Sequence, residues 1–135
     1  MLGRQYKKLL DRMPAGVFAF DDKLRIRFSN AAFRRLFPGR AKGTGNLKRA
    51  IGCAEECEIC GKGASCAGCT FRRVMRAAVR DNAEKTETVS AGVRLAGRTD
   101  RVAVRIRILP ADGKGKLFLG LTDGSYRTEI EREML

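Results

Sequence analysis

The chain opens with apolar residues at three- and four-residue steps. Tyr6, Leu9, Leu10 and Met13 recur at that spacing, which is the period of a helix with one apolar face. Proline cannot continue a helix because it lacks the backbone N–H and clashes with the preceding turn. The pattern therefore predicts a short amphipathic helix that ends ahead of Pro14.

A strand, a turn, a second strand and a helix are predicted next. Asp21 to Lys23 is a polar turn between an apolar run and a segment that alternates apolar with basic residues, the period of a strand with one buried face. Ser29 or Asn30 can cap the following helix, because a short polar side chain accepts the free amide hydrogens of the first turn. That helix spans Ala31 to Phe37 and ends at Pro38. The predicted strands are Gly16 to Phe20 and Leu24 to Phe28.

Periodicity returns in the second half of the chain. Thr70 to Asn82 has apolar residues on one face and arginines on the other, which predicts a full-length helix. Three strand-like segments follow as an antiparallel meander, and residues 124–135 are helical in pattern and strongly charged. The predicted strands are Glu87 to Leu95, Arg101 to Leu109 and Lys116 to Leu121, with turns at Gly97 to Asp100 and Asp112 to Gly115.

Composition and charge narrow the class of protein. The 135 residues, 44% of them hydrophobic, suffice for one small core and leave no room for a second domain. No apolar run approaches the roughly 20 residues that span a bilayer, and the charged N-terminus does not resemble a secretory signal. We therefore expect a soluble, cytoplasmic protein that does not associate with membranes. The net charge of +13 is spread along the chain with no basic run longer than a pair, so we do not expect nucleic acid to be the partner.

Short stretches at both ends of the chain resemble the PAS family of sensory domains. Leu9 to Val17 (LLDRMPAGV) is similar to the segment before the family's first strand. Phe20-Asp21 and Arg25 to Phe33 (RIRFSNAAF) resemble its strand, turn, strand and asparagine-capped helix. Leu121 to Asp123, followed by Tyr126 to Glu131, is similar to the aspartate-containing exit into a signalling helix.

The resemblance implies an α+β fold, in which one face of a five-stranded antiparallel sheet is covered by short helices and further helices flank it at both termini. It also implies homodimerisation through terminal helices, and control of an output domain or partner such as a histidine kinase. The expected organisation is a single PAS-like domain over 1–135, with an N-terminal helix at 1–13, a core at 14–123, a cysteine-rich insert at 52–69 and an exiting helix at 124–135.

Five cysteines form the strongest chemical signal, and they follow the pattern C-x3-C-x2-C-x5-C-x2-C. Two C-x-x-C pairs can converge on one ion as a four-sulfur shell, which suits zinc or an iron–sulfur cluster. The spacing does not distinguish the two metals, and reversible disulfides or inert thiols are further alternatives. The residues are Cys53, Cys57, Cys60, Cys66 and Cys69.

A subset of bacterial PAS sensors carries a Gly-Cys, a later Cys-Gly and a C-x-x-C before an arginine-bearing helix, and this chain resembles that subset. The resemblance implies that Cys53, Cys60, Cys66 and Cys69 are the core ligands. Cys57 is then a spare ligand, an exchange partner or a free thiol. The competing set takes both C-x-x-C pairs and leaves out Cys53.

Some chemistries are excluded or disfavoured by composition. The chain has no histidine, so histidine-ligated haem and zinc-histidine catalysis are excluded. Asp21-Asp22 and Glu55-Glu56 are best interpreted as turn and loop residues, not as acid–base pairs. With no nucleophile–base pair, we expect no enzymatic activity.

Two hypotheses for function follow. The first is a sensory domain of a bacterial signal-transduction protein that detects redox, oxygen or metal state through its cysteines and signals through a dimeric terminal helix. The alternative is a zinc-stabilised basic module whose arginines contact nucleic acid, and steeply salt-dependent binding would identify it.

Overall fold

The computed structural model describes residues 4–37, 45, 70–95 and 98–122. The predicted helix at 124–135 and the whole of the cysteine segment lie outside these residues. Five strands and three helices are described, and they confirm the α+β class and the predicted five-stranded antiparallel sheet. In chain order they are α1 (Arg4–Arg12), β1 (Val17–Asp21), β2 (Ile26–Ser29), α2 (Ala31–Leu36), α3 (Thr70–Asp81), β3 (Lys85–Leu95), β4 (Arg98–Pro110) and β5 (Leu117–Thr122).

The sheet has the strand order β2-β1-β5-β4-β3, and all neighbouring strands are antiparallel. The N-terminal hairpin and the C-terminal meander are both present as predicted. They join where β1 pairs with β5, from Val17 opposite Leu121 to Asp21 opposite Leu117. The first and last strands of the chain are therefore neighbours near the centre of the sheet.

The hairpin between β3 and β4 is tighter than the sequence predicts. A turn was expected over residues 97–100, but Thr99 pairs with Arg94 and Asp100 pairs with Val93. The ladder continues to a final pair between Leu95 and Arg98. The predicted turn is therefore wrong at residues 98–100, because an eleven-pair ladder overrides the turn preference of short polar residues.

One face of the sheet is covered by α2 and α3, and a continuous apolar core fills the space between them. Strand alternation supplies the sheet side of this core and the 3.6-residue period supplies the helix side. Neighbouring rings stack or tilt at centroid distances from 4.9 Å upward. Six fully buried phenylalanines dominate the core: Phe18, Phe20, Phe33, Phe37, Phe71 and Phe118.

A glycine in β5 makes room for one of these rings. Gly120 lies opposite Phe18 in the ladder, and a Cβ atom at Gly120 would fall 2.2 to 2.7 Å from three carbons of the Phe18 ring. Those distances are far below van der Waals contact, so the ring lies directly on the glycine backbone. Gly120 is thus required by close approach and not by its backbone angles.

Helix α3 ends one residue earlier than predicted, in a left-handed cap. Asn82 has φ of 46°, its amide donates to the Val79 carbonyl, and the Ala83 amide donates to the Ala78 carbonyl. This is the Schellman arrangement, and asparagine is the commonest residue after glycine to accept that conformation. The cap turns the chain directly into β3.

Candidate functional site

The predicted metal ligands cannot be placed. Cys53, Cys57, Cys60, Cys66 and Cys69 all lie outside the described residues. Within the described part of the chain, no three cysteine, aspartate or glutamate side chains are grouped as a metal site. The ligand set and the choice between zinc and an iron–sulfur cluster therefore stay predictions.

The described residues instead show a buried polar site where α1, β1, α2 and the end of β5 meet, which we call the exit junction. Its centre is Asn30, which is fully buried. The Asn30 Oδ1 atom accepts from the Val17 amide at 2.8 Å and from the Phe33 amide at 3.0 Å. The Asn30 Nδ2 group donates to the carbonyls of Leu10 at 2.7 Å and Ala15 at 3.0 Å. One side chain therefore caps α2 and also binds the start of β1 and the end of α1.

The second component of the exit junction joins the two ends of the core. The amide of Gly16 donates to Thr122 Oγ1 at 2.8 Å, and the Thr122 amide donates to the Gly16 carbonyl at 2.8 Å. Thr122 is 3% exposed. A Cβ atom at Gly16 would lie 2.3 Å from Thr122 Oγ1, so no larger residue fits without separating the pair. The last residue of β5 is thereby held against the first residues of the core.

A third contact attaches α1 to α2. The Asp11 Oδ1 atom accepts from the Ala31 amide at 2.9 Å and lies 3.4 Å from the Arg34 guanidinium. Arg34 also donates to the Ser29 carbonyl. Asp11 and Arg34 are both half-exposed, so this contact is weaker than the buried hydrogen bonds of Asn30.

The exit junction touches the aromatic core through α2. Phe33, whose amide bonds Asn30, lies 4.9 Å from Phe18 and 6.4 Å from Phe71 between ring centroids. Phe71 is the second residue of α3 and also lies 5.7 Å from Phe18. The N-terminal turn of α3 is therefore joined to the exit junction by direct ring contacts.

Sequence reasoning found part of this site. The prediction that Ser29 or Asn30 caps α2 is resolved in favour of Asn30. In the sequence, Thr122 is noticed only as the middle residue of the Leu121 to Asp123 stretch that resembles the PAS exit. Its hydrogen-bond partner Gly16 is 106 positions away. No local signal identifies such a pair, because it exists only after β1 and β5 have paired.

Solved structures of PAS domains are similar in fold to this chain. The PAS domain of Bordetella pertussis BvgS matches with a TM-score of 0.54 and 20% identity, over 96% of this chain and 91% of that one. The photoactive yellow protein domain of the sensor histidine kinase Ppr from Rhodospirillum centenum matches at 0.51 and 14% identity, over 85% and 96% of the two chains. The PAS domain of nitrogen regulation protein NR(II) from Vibrio parahaemolyticus matches at 0.50 and 17% identity, over 89% and 96%.

No family model and no curated protein sequence matches this chain. The structural likeness nevertheless agrees with the strand order, the antiparallel pairing and the helices on one face of the sheet. The protein therefore has the PAS fold, as the resemblance implied. None of the described helices has the length and apolar character needed to cross a membrane.

Proposed function

We propose that this protein is a sensory PAS domain of a signal-transduction protein, with no catalytic activity of its own. Of the solved neighbours, one is a domain of a sensor histidine kinase and another belongs to a nitrogen regulation protein. These similar structures support a regulatory role, in which the output lies in another domain or in a partner such as a histidine kinase. The cytoplasmic location stays a prediction.

The exit junction is the observation that carries this proposal. The chain enters the core at Gly16 and leaves the last strand at Thr122, and these two residues bind each other through two hydrogen bonds. Asn30 adds the end of α1 to the same site. A displacement of α2 or β1 therefore changes the position from which the segment after Thr122 departs, which is the mechanical requirement for an output.

The cysteine segment is the proposed input. Cys69 immediately precedes α3, and Phe71 of that helix lies against Phe18 and Phe33 in the core. A change of metal or thiol state would alter the start of α3, and the ring contacts would transmit it to the exit junction. Cys53, Cys60, Cys66 and Cys69 are the proposed ligands, with Cys57 spare, around zinc or an iron–sulfur cluster.

A homodimer formed through α1 is the proposed assembly. Tyr6 is 60% exposed and Leu9 62% exposed, so neither side chain is buried against the sheet of its own chain. Met13, which follows the end of α1, is 38% exposed. An apolar helix edge of this kind is stabilised when a second copy covers it.

The test combines metal analysis with amide hydrogen exchange on protein purified without oxygen. We expect an air-sensitive iron chromophore or one zinc per chain. We also expect the exchange rates of the Gly16 and Thr122 amides to change several-fold when the metal is removed or oxidised. Cys69→Ser should abolish both responses, whereas Cys57→Ser is the matched control and should retain them.

Two results would contradict the proposal separately. Protein that binds no metal and shows no thiol-dependent change would remove the cysteine input but leave the fold and the exit junction intact. If binding and removal of the metal leave amide hydrogen exchange at Gly16 and Thr122 unchanged, the metal has a structural role and not a sensory one. Equal metal loss in the Cys57 and Cys69 variants would overturn the choice of ligands.

A further inference from the structure

The solvent face of α3 carries a row of arginines. Arg72, Arg73, Arg76 and Arg80 are spaced by one, three and four residues, so the row runs along two turns of the helix. The opposite face, which includes Phe71, is buried in the core. The arginines are thus surface groups of a helix that is anchored from beneath.

Two of the four arginines already have carboxylate partners within the chain. Arg73 lies 3.6 Å from Glu87 on β3, and Arg80 lies 3.0 Å from Asp81. Hydrogen bonds from Arg80 and Lys85 hold the pKa of Asp81 well below its usual range, so Asp81 stays ionised at any physiological pH. The charge of these two arginines is therefore largely compensated in place.

Arg72 and Arg76 form no ion pair with any other described residue. They stand four residues apart, which places their side chains next to each other on adjacent turns and makes them repel. Arg72 also lies in the first turn of α3, which contains no acidic residue, where the helix dipole favours negative charge. The mutual repulsion of the two arginines and the position of Arg72 near the helix N-terminus are both electrostatically unfavourable. A bound anion would reduce both unfavourable interactions.

The carboxylates of the described surface are not available to supply that anion. The seven acidic residues whose side chains the structure describes are all engaged within the domain: six in ion pairs, and Asp112 with the backbone amides of its own turn. The six are Asp11, Asp21, Asp22, Asp81, Glu84 and Glu87. A carboxylate that pairs with Arg72 and Arg76 would therefore come from outside these seven residues.

We propose that Arg72 and Arg76 form a docking site for an acidic helical segment of a partner protein, with two carboxylates one helical turn apart. Within α3 these are the two arginines without an ion pair to a described residue, and their positions are about 6 Å apart along the helix axis. Two carboxylates four residues apart on a second helix have the same spacing. Nucleic acid fits less well. Phe71, the single aromatic residue of α3, is buried and cannot stack on bases.

This inference deepens the proposed function by naming the chemistry of a partner, and its regulatory meaning rests on that function. Helix α3 begins directly after Cys69, so a partner docked on Arg72 and Arg76 would respond to the same segment as the exit junction. The binding itself needs no metal and no change of thiol state. Failure of the docking site and failure of the cysteine input are therefore observed in separate experiments.

The experiment is an NMR titration of the full chain with an alanine-based helical peptide that carries glutamates at positions four apart. We expect the side-chain resonances of Arg72 and Arg76 to shift, and the shifts to diminish as salt is raised. Arg72→Gln combined with Arg76→Gln should weaken binding about five- to tenfold, the scale of two exposed charge pairs. Arg105→Gln is the matched control, because Arg105 is an exposed arginine on β4 without an ion pair to another described residue, and it should have no effect.

Three outcomes would overturn the proposal. A peptide of identical composition with its glutamates two residues apart, and so on opposite sides of its helix, should bind more weakly; equal binding would mean non-specific attraction. If a short DNA duplex shifts the side-chain resonances of Arg72 and Arg76 at a lower concentration than the peptide does, the two arginines form a nucleic-acid-binding surface instead. Stronger peptide binding after Glu129→Gln and Glu133→Gln would show that the chain's own C-terminal segment is the occupant.

Discussion

The aromatic core and the exit junction are adjacent and equally buried, yet they are built from opposite chemistry. The core consists of apolar side chains whose contacts are numerous and non-directional. The exit junction consists of a few directed hydrogen bonds around Asn30 and between Gly16 and Thr122. Removing one core ring leaves its neighbours in apolar surroundings, whereas removing one polar atom of the junction leaves buried donors or acceptors without a partner.

This difference separates stability from positioning. Burial of six phenylalanines supplies most of the driving force that closes the sheet under its helices. The hydrogen bonds of the exit junction determine where the chain ends sit relative to each other, because each bond has a required distance and direction. We therefore expect core substitutions to lower the free energy of unfolding most, and junction substitutions to alter local exchange in addition.

Phe71→Ala should have the largest effect on stability. The ring contacts Phe18, Phe33 and Phe37, and its removal should lower the free energy of unfolding by about 3–5 kcal/mol. Phe71→Leu keeps most of the volume and should cost far less. Chemical denaturation measures both, and equal losses would show that ring packing, as opposed to volume, dominates this position.

Asn30→Ala should come next. The substitution removes four hydrogen bonds from a fully buried site: two accepted by the side-chain oxygen and two donated by the side-chain nitrogen. The free energy of unfolding should therefore fall by about 2–4 kcal/mol. Hydrogen exchange should accelerate first at Val17 and Phe33, whose amides lose their acceptor. Asn30→Asp keeps that acceptor but not the donors, and protection of Val17 and Phe33 should persist in it; loss there too would contradict this assignment.

Gly120→Ala tests the contact between glycine and ring in the core. The added methyl group collides with Phe18, so the free energy of unfolding should fall by about 1–3 kcal/mol from overpacking. Phe18→Leu should relieve the collision, and the double variant should be more stable than the sum of the two single losses predicts. Additive losses in thermal or chemical denaturation would mean that the two residues do not share this space.

Thr122→Val should have the smallest effect on stability but a specific effect on position. The substitution preserves shape and leaves the Gly16 amide without its acceptor, at a cost of about 1–2 kcal/mol. Exchange at Gly16 should rise while exchange in the core away from β5, for example at Val89 on β3, stays unchanged. Thr122→Ser retains the hydroxyl and serves as the control; if it behaves like valine, the methyl contact matters more than the hydrogen bond.

Several predictions from sequence hold because they rest on local rules. The apolar period over Thr70 to Asn82 predicted α3, the strand-like pattern over Arg101 to Leu109 predicted β4, and a short polar residue before Ala31 predicted the cap of α2. The turn predicted over residues 97–100 was wrong at residues 98–100, because these three residues belong to a long ladder. Strand pairing, which links distant residues, decides such boundaries over local preference.

Hydrophobic periodicity, turn residues and a capping asparagine by themselves determined the elements of this protein and their order, because each depends on neighbours within a few positions. The cysteine spacing likewise predicted a metal site, and which of the five cysteines are its ligands stays a prediction. Only the tertiary structure decided that Gly16 meets Thr122, that Gly120 lies beneath Phe18, and that Arg72 and Arg76 have no carboxylate partner among the described residues. The physical reason is shared by all three: each depends on atoms far apart in the chain, which only the paired sheet and the docked helix bring together or keep apart.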